Sequence, residues 1–360
     1  MYIEKLKDND WKSFEIFVKK NLVKSFISKK IFNSFWFKQN NNWNIEIAKN
    51  EKGQIIAINM IIKTLCKFKK KKKIFVWTST AFANCEARKS GIFALMIIKV
   101  HRSYPIIGAL CGNSNSLPIN KKLGDDLNGL KLKRFIFIHN KKISKILKKK
   151  TNREIRKLRF KKIKKNETEL LTEWTNYVPK DIDKLWKNFS SQFDLCINKD
   201  YQFLKNRYEQ SPYQKYNFIV IRNNKKFLIG LGVVRPQKTK AGNCIRIVEF
   251  MSLKGYEYIV WNSIILQCEK KKGIFSDFMV VGESQDKYLL KLGFKLANKN
   301  KSLKQIPNLL SPLEFRDWSY SFHVGGKLLN KIRTIKSKKK IWFTKGDGDR
   351  DWPTPSDIKN

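Results

Sequence analysis

Ile74-Phe75-Val76-Trp77 is followed by Asn84-Cys85-Glu86-Ala87-Arg88-Lys89-Ser90-Gly91-Ile92, by Ile106-Ile107-Gly108-Ala109-Leu110-Cys111, by Asn113-Ser114-Asn115-Ser116 and by Lys122-Leu123-Gly124. The two short apolar runs read as buried strands by their length. The run from Ile92 to Val100 is apolar with Lys99 near its end, which fits a buried helix. The stretch is therefore strand, glycine-containing turn, helix, strand, Asn/Ser turn, short helix. A turn between a strand and a helix N-terminus offers backbone N–H groups and the positive end of the helix dipole, the usual ingredients of a phosphate site.

Outward from this stretch, the 360 residues are enough for a sizeable core and two domains, and 42% hydrophobic content makes the chain globular. Lys and Arg number 76 against 30 Asp and Glu, a formal net charge of +46. Nucleic acid is the first partner such a charge suggests. The basic residues are spread along most of the chain, however, in a composition rich in Lys, Asn, Ile and Phe, so no specific nucleic-acid function is expected. The six cysteines (Cys66, Cys85, Cys111, Cys196, Cys244, Cys268) form no C-x-x-C pair and there are three histidines, so no metal site or disulfide framework is expected. The N-terminus Met1-Tyr2-Ile3-Glu4-Lys5 has no signal-type apolar region and no run approaches a membrane span, so a cytoplasmic, soluble protein is expected, with its charge allowing peripheral contact with an anionic membrane.

Apolar positions Trp11, Phe14, Phe17, Val18, Leu22, Phe26 and Ile27 recur at helical spacing after Asp8 and Asp10. Phe32, Phe35, Trp36 and Phe37 read as core packing. Ile45–Ala48 and Ile55–Ile62 read as a hairpin turning at Asn50-Glu51-Lys52-Gly53, and Lys69–Lys73 as a solvated loop. Lys131–His139 reads as the strand that closes this first unit, and Lys141–Lys165 as a basic, helix-compatible connector. The pattern then recurs. Tyr216–Arg222 and Leu228–Val234 form a hairpin around Asn223-Asn224, Ile245–Phe250 is a strand, Tyr256–Glu269 a helix, Phe275–Val281 a strand, and Asp286–Phe294 ends in Lys291-Leu292-Gly293-Phe294. Gly293 follows Gly124 by 169 positions and Val281 follows Cys111 by 170. A chance tripeptide would not carry its flanking strands at one offset, so the chain reads as two tandem copies.

Arg88-x-x-Gly91-Ile92 resembles the pyrophosphate loop of the GNAT acyltransferases, and Lys122-Leu123-Gly124 resembles their Lys-Leu-Gly-Phe ending. Phe93 stands where that loop usually has Gly or Ala, close to where the cofactor phosphates would lie, and Asp125 stands where Phe or Trp is usual. An ordinary strand–helix turn accounts for the Arg-x-x-Gly residues as well. The second copy has Ser252-Leu253-Lys254-Gly255 at the matching position, without the Arg, and is expected to bind no cofactor. Asp200-Tyr201-Gln202-Phe203-Leu204-Lys205-Asn206-Arg207-Tyr208, with Pro212 and Tyr216, resembles the segment that opens the second copy of tandem GNAT-like proteins linked to bacterial surface-polysaccharide synthesis. Gly346-Asp347-Gly348-Asp349-Arg350-Asp351-Trp352-Pro353 resembles the ending of that group. The resemblance implies a mixed α/β (α+β) fold of two tandem GNAT-like domains, each a central mixed β-sheet flanked by helices. The divisions would be an N-terminal domain 1–140 with the acyl-CoA site, a connector 141–199, a C-terminal domain 200–310 and a tail 311–360.

It also implies N-acyl transfer from acetyl-CoA or another acyl-CoA to an amino group, on a nucleotide- or lipid-linked amino sugar. A thioester carbonyl would be polarised by strand backbone N–H, a base would take the amine proton, and an acid would protonate the thiolate. The base candidates are Glu86, which a helix-cap role suits as well, and Glu249. Glu249 lies in Ile247-Val248-Glu249-Phe250, where either a raised pKa or an ion pair with Arg246 or a lysine suits it. The usual acid position holds Asn120, so Tyr104 is the substitute. Cofactor contacts fall to Arg88, Lys89, Ser90, Gly91 and Ile92, with Asn113 and Ser116, which equally read as a helix-capping turn. Arg207, Tyr208, Asp347 and Asp349 are the candidate substrate contacts, the acidic tail either docking on its own surface or recognising an amino group in the cleft. A FemAB-like aminoacyl-tRNA-dependent transferase and a non-catalytic binding scaffold are the competing readings.

Overall fold

The computed structural model describes residues 1–21, 38–39, 42–110, 116–127, 129–147, 155, 170–211, 214–239, 241–310, 313–314 and 320–348. The expected aromatic cluster at Phe32–Phe37 lies outside them, as does nearly all of the Lys141–Lys165 connector beyond a 3-10 turn at Lys141–Ile146.

The first repeat builds strands β1 (Tyr2–Lys5), β2 (Ile45–Lys49), β3 (Ile55–Phe68), β4 (Lys71–Ala83), β5 (Ile106–Leu110) and β6 (Gly124–Asp125). Helix α1 (Trp11–Asn21) buries Trp11, Phe14, Phe17 and Val18, the face its periodicity marks. A short α2 (Cys85–Lys89) and a longer α3 (Ile92–Ser103) link β4 to β5, and α4 (Ser116–Leu123) follows. The next strand, β7 (Lys133–Ile138), belongs elsewhere. The second repeat builds β8 (Leu171–Thr175), helix α5 (Ile182–Ser191), β9 (Leu195–Ile197), a short α6 (Tyr201–Leu204), β10 (Asn217–Arg222), β11 (Leu228–Thr239) and β12 (Gly242–Ser252). It continues with α7 (Glu257–Lys270), β13 (Gly273–Val281), α8 (Asp286–Leu292) and β14 (Lys295–Leu296), and the last strands are β15 (Phe322–Gly325) and β16 (Ile341–Thr344).

In both repeats three antiparallel strands are followed, across a helix, by a parallel fourth. β2, β3 and β4 are antiparallel and β4 is parallel to β5. β10, β11 and β12 are antiparallel and β12 is parallel to β13. β1 and β8 cover the corresponding outer edges. The repeat inferred from the Lys-Leu-Gly recurrence is thus a repeat of sheet topology.

The closing strands correct one expectation. Lys133–Ile138 does not close the first sheet. It pairs antiparallel with β13 of the second, Phe275 opposite Ile138 through Val280 opposite Lys133, and β14 adds on its far side. The place beside β5 is taken by β15, Phe322 opposite Leu110, with β6 beyond it. The two halves exchange their closing strands, so among the described residues each sheet has seven strands, of which one is borrowed. The exchange is fixed by buried ions. Arg134 of β7, fully buried, donates to Asp277 of β13 at 2.9 Å and to the carbonyls of Ile306 and Pro307. Two arginines, Arg246 and Arg134, outweigh the burial that would raise Asp277 and hold its carboxyl below the ordinary range.

In each sheet the two parallel central strands part company. β12 and β13 pair up to Ile247 opposite Phe278, and β12 then runs on to Ser252 without that partner. β16 enters the resulting gap, with Val280 opposite Thr344 and Val281 opposite Phe343, and it pairs in parallel with β9, which pairs with β3. This joins the two sheets into one, of sixteen strands among the described residues. Alternation along β16 sends its two aromatics opposite ways. Trp342 packs on Phe189, Phe193 and Phe278 of the second half, and Phe343 packs on Phe75, Trp77 and Phe322 at the first sheet.

Candidate functional site

β4 and β5 pair from Phe75 opposite Ile106 to Trp77 opposite Gly108. There Thr78 Oγ1 donates to the Gly108 carbonyl at 3.4 Å. A bulge between Asn59 and Ile61 then turns β4. From Thr78 to Ala83 the β4 edge facing β5 has no strand neighbour among the described residues. This split is the counterpart of the gap that β16 fills in the second half.

The tail connects the two splits. After β16 the chain makes a 3-10 turn, Lys345–Asp347. Arg207 clamps it, Nε and Nη2 donating to the Gly346 carbonyl at 3.0 and 2.7 Å and Nη2 to the Gly348 carbonyl at 2.7 Å. Gly346 is required by crowding: a Cβ there would stand 2.1 Å from Tyr208 Oη. Gly348 then lies against the first split, where a Cβ would be 3.5 Å from Leu110 and 3.6 Å from Trp77.

At this turn four chain segments bring ionisable groups together in the interior. Lys199 follows β9 and is held by its neighbours: Asn198 accepts from Trp186 Nε1, and Asp200 caps α6. Its Nζ lies 2.5 Å from Glu249 Oε2, 2.9 Å from Asp347 Oδ1 and 3.0 Å from Thr344 Oγ1. Tyr208 Oη donates to Glu249 Oε1 at 2.6 Å. Arg207 and Tyr208 reach inward from a π turn, Lys205–Glu209, that interrupts the helix after α6. Glu249 sits at the bulge in β12 where pairing with β11 shifts register. The Asp347 carboxylate also accepts from the Thr344 N–H at 2.7 Å.

The side chains of Lys199, Glu249 and Asp347 have no solvent exposure. One ammonium faces two carboxylates. Burial would depress Lys199, but Asp347 and Glu249 outweigh it and hold its pKa above the ordinary value. For Asp347 burial dominates and Glu249 adds repulsion; together they overcome Lys199 and push its carboxyl up to about 7. Burial likewise holds the Tyr208 hydroxyl well above its usual range, so it stays a donor to Glu249.

Linkage gives a testable sign. Asp347 binds a proton in the folded state up to about pH 7, whereas an unfolded aspartate loses it near pH 4. The folded state therefore holds more protons across this window, and this group's contribution falls as pH rises from about 4 to about 7. In Asp347→Asn that descending limb should be absent from urea-melt stability measured across the window. An unchanged limb would assign it to another group.

Of the residues singled out from sequence, Arg207, Tyr208, Glu249 and Asp347 converge here, and Glu249 is paired with a lysine, Lys199, rather than with Arg246. Asp349 and Asn113 lie outside the described residues, and Ser116 opens α4. The others stand apart. Glu86 is exposed in α2, 3.5 Å from Asn50 of the β2–β3 turn. Arg88 is exposed and its guanidinium lies 3.3 Å from Cys85 Sγ. Gly91 adopts φ +73 between α2 and α3. The turn already uses its own N–H groups: Ser90 donates to Glu86, Gly91 to Arg88 and Ile92 to Ser90 Oγ, and Lys89 lies within α2. Phe93 and Ile3 pack against the cluster that includes Ala48, Ala87 and Met96. Tyr104 caps the opposite end of α3, roughly 18 Å along its axis at 1.5 Å per residue, with Lys63 over its ring at 5.3 Å. Lys199 and Thr344 escaped the sequence reading, the first as one basic residue among 76.

No protein-family model and no curated protein sequence matches the chain. Solved structures do. A GCN5-related N-acetyltransferase from Anabaena variabilis is 12% identical with a TM-score of 0.59, over 93% of this chain and 74% of that one. A probable N-acyltransferase from Enterococcus faecalis is 9% identical with a TM-score of 0.57, over 90% and 71%. Saccharomyces cerevisiae N-myristoyltransferase with bound myristoyl-CoA and inhibitors is 11% identical with a TM-score of 0.53, over 90% and 80%. What is shared at these identities is the fold, and the chain has the mixed α/β GNAT architecture along nearly its whole length. No helix among the described residues is long and apolar enough to cross a membrane.

Proposed function

We propose that this protein is an N-acyltransferase that takes its acyl group from an acyl-CoA seated in the β4–β5 split and passes it to an amino group. The observation that carries this reading is the asymmetry of the two splits. The second is filled by β16, while the first keeps the edge of β4 from Thr78 to Ala83 without a neighbouring strand among the described residues. The similar structures include an N-acetyltransferase and an N-myristoyltransferase with bound myristoyl-CoA, which suits an acyl-CoA donor here.

In this reading the backbone N–H groups along the β4 edge polarise the thioester carbonyl. The amine nitrogen attacks the carbonyl carbon, the C–N bond forms, and the C–S bond breaks to release the thiolate. The proton the amine loses reaches Asp347 through an intervening water, because the carboxyl itself is enclosed. Its carboxyl, up to about 7, is matched to general-base work at neutral pH, and it is one residue from the wall of the first split. Lys199 and Tyr208 keep Glu249 engaged, so that Asp347 is the carboxylate that exchanges the proton. Arg88, exposed before α3, would meet the donor's phosphates through its guanidinium, since the N–H groups of Ser90, Gly91 and Ile92 are already taken within the turn. The acceptor we favour is an amino sugar of surface-polysaccharide synthesis, on the resemblance of the tail Gly346–Pro353.

Calorimetric titration with acetyl-CoA and longer acyl-CoAs, followed by thiol release with amino-sugar acceptors, tests this. Saturable binding is expected, with Arg88→Ala weakening it roughly tenfold to a hundredfold. The rate should rise with pH through about 7 as Asp347 ionises. Asp347→Asn should lose that limb and about 10²–10⁴ in rate. The absence of heat with every acyl-CoA at millimolar ligand would end the acyl-CoA reading.

A further inference from the structure

We propose that the β3–β4 hairpin end, together with the segment leading into β16, docks the protein on an anionic lipid surface. This rests on a different region from the acyl-transfer site and stands or falls separately.

Sheet pairing assembles the surface. The Lys69 N–H donates to the Asp194 carbonyl, and the Asp194 N–H donates to the Lys340 carbonyl at 2.7 Å. The hairpin turn and the Lys336–Lys340 segment are therefore neighbours, although nearly 270 positions separate them in the chain. Residues 66–73 and 336–340 contain ten lysines, and Asp194, between them, is the one carboxylate of these joined segments. Lys69, Lys70, Lys71, Lys72, Lys339 and Lys340 are all exposed. Lys67 is committed elsewhere, to the Ser190 carbonyl at 2.6 Å.

The surface is not only basic. Leu65 and Ile74 are cross-strand partners in the same hairpin, and they are 47% and 45% exposed. On that face they are followed by the Lys67–Lys72 pair, about 7 Å along the strands at 3.3 Å per residue. An aliphatic pair set beside a cluster of lysines is the arrangement that sits at a bilayer interface: the lysines meet anionic headgroups while the apolar side chains enter the boundary beneath. Phosphate backbones of nucleic acids would satisfy the lysines but leave Leu65 and Ile74 without a role. Single-stranded nucleic acid would also call for exposed rings on which bases stack. Phe68, the aromatic residue of the hairpin end, is buried, with Lys69 Nζ 5.8 Å from its ring centre.

The test is flotation of the full chain with phosphatidylcholine vesicles, with and without phosphatidylglycerol, at near-physiological salt. Binding is expected only with phosphatidylglycerol. Lys70→Glu with Lys71→Glu should lower it by about tenfold or more. Lys301→Glu with Lys304→Glu, exposed lysines of the second half, changes net charge equally and should have a much smaller effect. Leu65→Ser with Ile74→Ser should weaken the phosphatidylglycerol binding that persists when salt is raised. Thermal melts of each variant separate lost binding from lost folding. Equal losses in the two lysine pairs would overturn the proposal by showing unspecific attraction. No effect of the Leu65 and Ile74 changes, or an RNA that displaces the protein from vesicles through the same lysines, would overturn it in favour of nucleic acid.

Discussion

Replacing Lys199 by methionine is expected to cost about 3–5 kcal/mol of folding stability at neutral pH, because the change leaves buried carboxylates without their counter-ion. Glu249 and Asp347 both lie within 2.9 Å of the ammonium and neither has solvent to turn to. The cost should shrink toward pH 5, where protonation of Asp347 relieves the repulsion. Combining Lys199→Met with Glu249→Gln and Asp347→Asn should recover part of the loss, since neutral groups need no counter-ion. Urea melts of wild type, Lys199→Met and the triple variant at two pH values decide it. A pH-independent loss that the triple variant does not relieve would mean that Lys199 acts through packing of its stem.

The second large effect concerns β16. Trp342→Ala and Phe343→Ala should each cost about 3–5 kcal/mol, the range for large aromatic truncations in cores. Both side chains are fully buried, and they face different halves of the molecule. Their consequences should therefore differ in kind. Trp342→Ala loosens the packing among Phe189, Phe193 and Phe250. Phe343→Ala loosens Trp77 and Phe75 at the root of the first split and should also weaken acyl-CoA binding. Hydrogen exchange read half by half would show protection lost in different regions. Uniform loss in both variants would mean that the two halves unfold as one unit.

Much of the architecture was legible because it is written in local patterns. Apolar runs of strand length, Asn/Gly hairpin turns and two Lys-Leu-Gly endings at one offset report what a segment is. They do not report which edge it joins. Lys133–Ile138, Lys-Arg-Phe-Ile-Phe-Ile, has the same alternation whichever sheet receives it, and the ion pair that fixes its place, Arg134 with Asp277, spans 143 positions. The candidate site was legible in part for the same reason. Glu249 stood out as a carboxylate in an apolar run, and Asp347 as an acid in a basic chain. Lys199 could not stand out, because nothing in Ile197-Asn198-Lys199-Asp200 distinguishes a buried ammonium from a solvated one. Phe93 was legible as bulk near a turn, but its packing against the buried cluster that includes Ala48 and Met96 depends on how α3 lies on the sheet.

The exchanged closing strands also set a timetable for synthesis. β5 cannot acquire its neighbour β15 until about 210 further residues have been made, from Leu110 to Phe322, roughly 10–40 s at ordinary elongation rates. Through that interval the nascent first half carries an unsatisfied strand edge, and β7, already made, waits for β13. A ribosome-bound first half is thus a natural client for chaperones, and slowing translation between the repeats should raise aggregation rather than yield.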